Sequence, residues 1–247
     1  DHLTYKLNLG VDYSTTDRDV QYIPYAADPD YAQGSINTSF TTNRNTLVEN
    51  TLTYDNVFGD HGLTLLAGHS YQKFYIHDKA FYFENFPNNG IEPRYQLEAA
   101  RGENATQYSN AVSNELQSFF GRVNYTYQDK YLVTATLRSD GSTKFGENNR
   151  YATFPSLALG WNIFKEDFMA DSGINNLKLR ASWGKSGNQE IPAKQTRLSY
   201  GESFADNDIY PLNDGITTRE GYDYGLVFAR TANPDLQWEE TTQTNIG

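Results

Sequence analysis

Residues 2–13 read His-Leu-Thr-Tyr-Lys-Leu-Asn-Leu-Gly-Val-Asp-Tyr, and this run constrains the fold more than any other. Leu3, Tyr5, Leu7, Leu9, Val11 and Tyr13 share one parity, and His2, Thr4, Lys6, Asn8, Gly10 and Asp12 share the other. Successive side chains on a strand point to opposite faces, so a period of two predicts a strand with one apolar and one polar face. Twelve residues exceed the roughly 5–6 of an ordinary soluble strand. They match the roughly 9–11 of a tilted membrane-crossing strand with a little overhang.

Seven further runs alternate in the same way. The first two cover about 45–57, with Val48, Leu52 and Tyr54 in phase, and 63–76, with Leu63, Leu65, Ala67 and Tyr71. Phe119, Gly121, Val123, Tyr125 and Tyr127 follow, then Tyr131, Val133, Ala135 and Leu137, then Leu157, Leu159, Trp161 and Ile163. Leu177, Leu179, Ala181 and Trp183 form the next, and the last runs from about Leu236 to Ile246. The connections alternate in length. Long ones are expected at 17–43, 77–115, 139–153 and 185–235, and shorter ones at 59–62, 128–130 and 164–176, the last with room for one helical turn around Glu166–Met169. A soluble sandwich has no reason to gather its long loops at one end, whereas an outer-membrane barrel has short periplasmic turns and long extracellular loops.

Composition agrees. Mean hydropathy is −0.70, yet aromatic residues reach 15%, with 19 Tyr, 14 Phe and 3 Trp. Rings pack well on a pleated surface and line the two water–lipid interfaces of a barrel. There is no apolar run of about 18 residues, so no helix crosses a membrane, but a barrel strand keeps its average hydropathy low. The chain has no cysteine and a net charge of −11. The first excludes disulfides and thiolate chemistry; the second argues against a nucleic-acid partner, which requires a basic footprint. The chain begins and ends inside alternating runs, shows no signal peptide, and reads as part of something longer.

These features predict an all-β, antiparallel transmembrane β-barrel meander of about eight strands, a membrane-barrel segment over 1–247. In lipid every backbone group must be bonded internally, so such strands need a closed barrel. The polar face carries Lys6, Arg122, Arg138, Lys178 and Arg180, which are costly against lipid and are therefore expected to face the lumen. Eight strands alone enclose a core just filled by side chains. Five cations and a loop as long as 185–235 fit a sector of a larger barrel better. Tyr125, Tyr127, Tyr131, Trp161 and Trp183 are expected as membrane-interface aromatics.

Several phrases resemble the SusC/RagA family of TonB-linked outer-membrane transporters. They are Phe120-Gly-Arg-Val-Asn-Tyr-Thr-Tyr-Gln-Asp-Lys-Tyr-Leu-Val-Thr-Ala-Thr-Leu-Arg-Ser-Asp-Gly-Ser142, Phe145-Gly146 with Arg150, and Thr153-Phe-Pro-Ser-Leu-Ala-Leu-Gly-Trp161. Leu177-Lys-Leu-Arg-Ala-Ser-Trp-Gly184, Gly187-Asn-Gln189, Asn233-Pro-Asp-Leu-Gln-Trp-Glu239 and Thr244-Asn-Ile-Gly247 continue the likeness, and Gly59-Asp-His61 looks like the family's short turn. It is dense over 119–247 and thinner over 1–118. It implies a TonB-dependent receptor barrel of about 22 strands with a plug. It also implies contact with the TonB complex through parts outside this chain, a SusD-like surface lipoprotein as partner, and import of oligosaccharides or peptides across the outer membrane of a Gram-negative cell.

No motif points to catalysis, a metal or a cofactor. Asp140-Gly-Ser142 with Phe145-Gly146 reads as a tight turn that needs glycine. Gly184–Gly187 lacks the Lys-Ser/Thr ending of a phosphate loop. Asp206-Asn-Asp208 and Asp214-Gly215 lack the spacing of a calcium loop. His2, His61, His69 and His77 form no ligand set. Glu239 and Glu240 are adjacent on a strand, point apart, and cannot flank one glycosidic bond.

Loops 17–43, 77–115 and 185–235 each carry a net charge of −3, most of the total of −11. They also hold Tyr25 and Tyr31. Tyr82, Tyr95, Tyr200, Tyr210, Tyr222 and Tyr224 are the candidate substrate contacts, since rings stack on sugar faces and carboxylates accept sugar hydroxyls. Two other readings stay open. A self-contained eight-strand barrel with a structural or adhesive role requires strand 2–13 to pair with strand 236–247. A soluble carbohydrate-binding module requires Leu3, Leu7, Leu9 and Trp161 to be buried in a two-sheet core.

Overall fold

The structure is a computed structural model. It describes residues 2–25, 33–102, 106–170, 172–202, 209–210, 223–224 and 226–247, with side chains described outside 201–227. The strands are β1 (Leu3–Tyr22), β2 (Ser35–Phe58), β3 (His61–Glu84), β4 (Thr106–Tyr127), β5 (Tyr131–Ser142), β6 (Tyr151–Asn162), β7 (Lys178–Asn188), β8 (Ser199–Glu202), β9 (Ile209–Tyr210), β10 (Asp223–Tyr224), β11 (Leu226–Arg230) and β12 (Glu239–Ile246). One eight-stranded sheet has the order β1-β2-β3-β4-β5-β6-β7-β12; β8 pairs with β11 and β9 with β10 in two small antiparallel pairs. Strands β1 and β12 stand at opposite ends of that order, which removes the reading of a self-contained eight-strand barrel.

Backbone contacts divide the chain into two compact units. The first comprises Asp1–Lys6, Thr51–His69 and Leu116–Gly247; the second comprises Leu7–Asn50 and Ser70–Glu115. In the first unit the registers of β4, β5, β6, β7 and β12 put like with like. Val123 faces Ala135, Ala135 faces Leu157, Leu157 faces Trp183, and Trp183 faces Thr244. On the opposite parity Arg122 faces Thr136, Thr136 faces Ser156, Ser156 faces Gly184, and Gly184 faces Gln243. The apolar face is not a core. Leu3 is 60% exposed, and Leu9, Val123, Leu137, Leu157, Leu159, Leu179 and Trp183 are exposed with it. Leu3, Leu7 and Leu9 are thus outside any core, and a soluble two-sheet module is excluded.

The β4–β5 turn is held in detail. Gln128 and Asp129 both have positive φ, and Lys130 N–H donates to the Tyr127 carbonyl at 2.9 Å, the pattern of a primed turn that matches strand twist. Neither residue is glycine, so each left-handed position costs about 1–2 kcal/mol. Neighbours hold it there. Gln128 N–H and Nε2 both donate to Asp60, at 2.8 Å each, and Asn162 Nδ2 donates to the Asp129 carbonyl at 2.6 Å.

Four strands run further than the alternation predicts. β1 continues to Tyr22, β2 starts at Ser35, β3 continues to Glu84, and β4 starts at Thr106. The connection expected at 17–43 shortens to 23–34, and that at 77–115 to 85–105. The extensions are largely polar, with Ile36, Phe40, Phe81 and Phe83 scattered among them, so no sustained hydrophobic period marks them. They are carried by ladder hydrogen bonds and polar cross-strand contacts within the second unit: Thr41 Oγ1 donates to Asp78 Oδ1 at 2.8 Å, and Lys73 pairs with Glu115 at 3.3 Å. Ile36, Thr38, Phe86, Pro93 and Gln96 are buried in this unit, with Gln96 Nε2 donating to the Ile91 carbonyl at 2.7 Å. Strands β5 and β6 likewise extend into the expected loop 139–153, leaving 143–150, and β7 runs on to Asn188. The connection after β6 holds two 3₁₀ turns, Ile163–Lys165 and Asp167–Met169.

Candidate functional site

The first unit presents four features: an aromatic row at the short turns, a cluster of Gln117, Tyr151, His69 and Phe119 higher on the sheet, a cationic polar face, and a packed brace under the long connections.

Tyr127, Tyr131 and Trp161 stand directly opposite one another in register and stack as a row, with near-parallel rings at 6.3 and 6.4 Å. Glu166 pins it. Trp161 Nε1 and Tyr131 Oη both donate to Glu166 Oε1, at 2.9 and 2.7 Å, while Lys130 Nζ donates to Oε2 at 3.2 Å. Those hydrogen bonds, Trp161's foremost, hold the Glu166 carboxyl below the usual carboxylate range. The same contact, with its hydrogen bond as the main cause, raises the Lys130 ammonium above the ordinary lysine range. Tyr125 lies one row higher, its hydroxyl 2.7 Å from His61 Nδ1. Trp183, also expected among the membrane-interface aromatics, stands four residues along β7 from Leu179, the residue opposite Trp161.

Same-face residues recur every 6.6 Å or so along a strand, and a tilt of about 40° gives roughly 5 Å of height per row. Two rows put Trp183 about 10 Å above the lower aromatics. Five rows reach the level where Gln117 faces Gly141 and Gly141 faces Tyr151. There Tyr151 Oη donates to Gln117 Oε1 at 2.7 Å, Gln117 Nε2 lies 3.1 Å from His69 Nε2, and the His69 ring meets Phe119 at 4.9 Å. At the usual tilt of barrel strands these five rows correspond to about 25 Å, the height of an apolar band. These upper residues were not singled out from the sequence. The available signal was a polar residue, Gln117, on an otherwise apolar parity.

On the polar parity, Lys6, Arg122, Lys178 and Arg180 make no side-chain hydrogen bond or ion pair among the described residues. Lys178 and Arg180 border a shallow depression of about 490 Å³ with Thr134, Ala158, Gly160, Ser182 and Asn245. Leu132 lines it beside these small residues, close over Gly160. Arg138 differs. Its Nε lies 2.8 Å from both carboxylate oxygens of Asp140, its Nη2 donates to Ser118 Oγ at 2.9 Å, and its guanidinium covers the Phe120 ring at 5.4 Å. It belongs to a packed layer rather than to a free cationic surface.

The brace is the principal apolar core of the described residues: Phe145, Phe154 and Trp238, with Leu116, Ala152, Ile191 and Leu236 against it. Trp238 meets Phe145 at 4.9 Å and Phe154 edge-on at 5.5 Å, and its Nε1 donates to the Arg150 carbonyl at 3.0 Å. Asn149 Nδ2 donates to the Asp235 carbonyl at 3.1 Å. A Cβ on Gly146 would lie 1.9 Å from the Pro234 carbonyl oxygen, so only glycine permits this approach. The Asp140–Gly146 stretch is a packing device.

Of the candidate substrate contacts, Tyr82 is half-buried and donates to Glu84 at 3.3 Å. Tyr95 is exposed, with Arg94 over its ring at 5.0 Å. Tyr200 is exposed and meets Phe228 edge-on at 5.9 Å. Tyr210 faces Asp223 and Tyr224 faces Ile209 in backbone register; Tyr222, Tyr31 and the Asp206–Asp214 carboxylates lie outside the described residues. No cluster of three metal-ligating side chains occurs among the described residues.

A sheet with one exposed apolar face, carrying an aromatic row at its short turns, and one cationic polar face is the wall of a transmembrane β-barrel. The family model "TonB dependent receptor-like, beta-barrel" matches residues 1–247, and the chain belongs to that family of outer-membrane receptors. It is 38% identical over 215 residues, 87% of its length, to TonB-dependent receptor P3 of Formosa agariphila, and covers 20% of that protein. It is 37% identical over 175 residues, 66% of its length, to TonB-dependent receptor SusC of Bacteroides thetaiotaomicron, and covers 16% of it. The fold matches the structure of the RagAB peptide transporter with a TM-score of 0.83 and 24% identity, over 99% of this chain and 26% of that one. The chain thus spans about a fifth or less of the curated relatives it matches.

Proposed function

We propose that this chain forms a sector of the wall of a TonB-dependent importer that carries oligosaccharides or peptides across the outer membrane, working with a SusD-like surface lipoprotein. The short turns lie on the periplasmic side and the long connections outside. The carrying observation is the polar face. Lys6, Arg122, Lys178 and Arg180 stand unpaired among the described residues, Lys178 and Arg180 beside a shallow depression, which fits a water-filled lumen and a carboxylate-bearing plug. Four unpaired cations have no place in a wall sealed by its own side chains. The family supports the reading: SusC is a TonB-dependent receptor by name, and the fold neighbour RagAB is a peptide transporter. The outward loop aromatics Tyr95 and Tyr200, with Tyr82, Tyr210, Tyr222 and Tyr224, are the proposed contacts to cargo or to the lipoprotein. The chain performs no chemistry on its cargo.

The test uses the intact receptor in its own cells. Uptake of a fluorescent oligosaccharide pool and of a fluorescent peptide pool is measured with and without collapse of the proton gradient. Saturable, gradient-dependent uptake of one pool, lost when the receptor is deleted, is the expected result. Uptake of both that survives collapse of the gradient refutes import through TonB.

A further inference from the structure

The apolar face is not smooth. Between Leu52, Leu65, Val123, Leu137, Leu157 and Trp183 lies a groove of about 670 Å³ with an almost wholly apolar lining. Its floor is Ala67, Gly121 and Ala135, and Pro155 closes one side. The groove exists because small residues stand where neighbouring rows carry leucine, valine or tryptophan. Gly121 faces Leu137 across the β4–β5 pair, and Ala135 faces both Val123 and Leu157.

Its depth follows from the registers. The Val123–Ala135–Leu157–Trp183 row stands two rows, about 10 Å, above Tyr127, Tyr131 and Trp161, and the Gly121–Leu137 row stands about 15 Å above them. The apolar band is about 25 Å tall, so the groove straddles the middle of the membrane. No headgroup, sugar or water is at that depth. The molecules that wet this face of an outer-membrane wall are hydrocarbon chains, and a recess whose lining is almost wholly apolar offers them dispersion contacts on more sides than a flat wall does.

We infer that this groove seats one acyl chain of a membrane phospholipid, bound in a fixed place against Gly121 and Ala135 rather than exchanging freely along the wall. Trp183 forms one side of the seat and reports on it directly. Gly121 is the position to fill. A Cβ there would have the Leu66 carbonyl oxygen at 3.7 Å as its nearest neighbour, an ordinary contact, so a larger side chain projects into the groove without moving the strand.

The intact receptor is placed in nanodiscs, and Trp183 emission is taken as the difference between the parent and Trp183→Phe. Phospholipids brominated at mid-chain are expected to cut that emission at least twofold, with no response to acrylamide in the aqueous phase. Gly121→Leu should relieve the bromolipid quenching at least twofold and lower the motionally restricted spin-labelled lipid by one per receptor; Gly121→Ala should change neither. Should Gly121→Leu fail to insert, Ala135→Leu fills the same space and carries the same expectations. Unchanged restricted lipid in the filled variant overturns the inference. So does a Trp183 quenched by acrylamide, which puts water on this face, or by neither agent, which puts protein there. The result is independent of cargo uptake, so it stands or falls separately from the importer reading.

Discussion

Replacing Trp238 tests whether the brace anchors the end of the long connection. Its indole is 8% exposed, packs on Phe145 and Phe154, and gives its N–H to Arg150. Truncation of a buried tryptophan to alanine costs about 3–5 kcal/mol, of which its two ring contacts account for roughly 0.5–1.5 each. The Arg150 carbonyl also loses its donor, worth about 1 kcal/mol where water replaces it. Trp238→Phe keeps a ring in the cluster but loses that hydrogen bond and part of the indole's contacts, so it should cost about 1–2 kcal/mol, clearly less than alanine. The brace is local, and the loss should appear as local opening rather than unfolding of the wall. In hydrogen–deuterium exchange on the detergent-solubilised receptor, the reporter amides are Phe145, Asn149 and Leu236, which donate to Ser142, Gly146 and Asn233. A cost of about 3 kcal/mol speeds their exchange roughly a hundredfold in Trp238→Ala, with amides of β5 and β6 below the brace unchanged. Unchanged exchange at the reporter amides, or Trp238→Phe as damaging as Trp238→Ala, would refute the packing argument.

Three other substitutions follow from the same geometry. Gly146→Ala forces backbone apart at Pro234 and should cost at least the roughly 1–3 kcal/mol of an overpacked site, read as earlier proteolysis between 185 and 239. Arg138→Leu leaves the buried Asp140 carboxylate without its cation; because Arg138 is itself part-exposed, the expected loss is about 1–3 kcal/mol in denaturant midpoint. Glu166 has its pKa lowered by Trp161 and Tyr131, so its contribution is fully present above the ordinary carboxyl value near 4.3 and is lost as pH falls through its depressed folded value. Near-ultraviolet circular dichroism of the Tyr131–Trp161 stack should therefore persist through the ordinary carboxyl range and weaken only at lower pH in the parent, while Glu166→Gln should show the weakened signal already at neutral pH.

Alternation was legible wherever one face is apolar, as at 2–13, 131–138 and 177–184, because burial against lipid selects a strict period. It was silent over 14–22, 35–44 and 106–118, where polar residues predominate on both faces and apolar ones such as Ile36, Phe40 and Leu116 are isolated. Three of the lower aromatics, Tyr127, Tyr131 and Trp161, were marked by their closeness to short turns and do form one row. Trp183 carries the same residue type at a different height, which only the register shows. Glu166 left no trace, since a single carboxylate in a short connection has no pattern. The brace could not be assembled from periodicity at all: Trp238 and Arg150 are 88 residues apart. Its pieces were visible only as phrases shared with a family.

Those phrases share a physical role, and it predicts where the chain tolerates change. Phe145-Gly146, Phe154, Gln189 and Pro234 to Trp238 meet in or beside one packed cluster, with Lys144 Nζ 3.4 Å from the Gln189 carbonyl. Beyond them the connection is tied again at its base. Arg230 donates to the Lys194 and Arg197 carbonyls at 2.7 and 3.2 Å, and β8 pairs with β11 from Glu202–Leu226 down to Ser199–Arg230. Both fastenings are built from residues outside 203–225. Replacing 203–225 with a short Gly-Ser link should leave insertion into the outer membrane, heat-resistant electrophoretic mobility and exchange at Phe145 unchanged. Connecting segments of this kind carry recognition while the scaffold holds still, so cargo uptake is the property expected to fall. Loss of the folded, heat-modifiable form in that deletion would show instead that the segment supports the wall, and the division between brace and binding loop would be wrong.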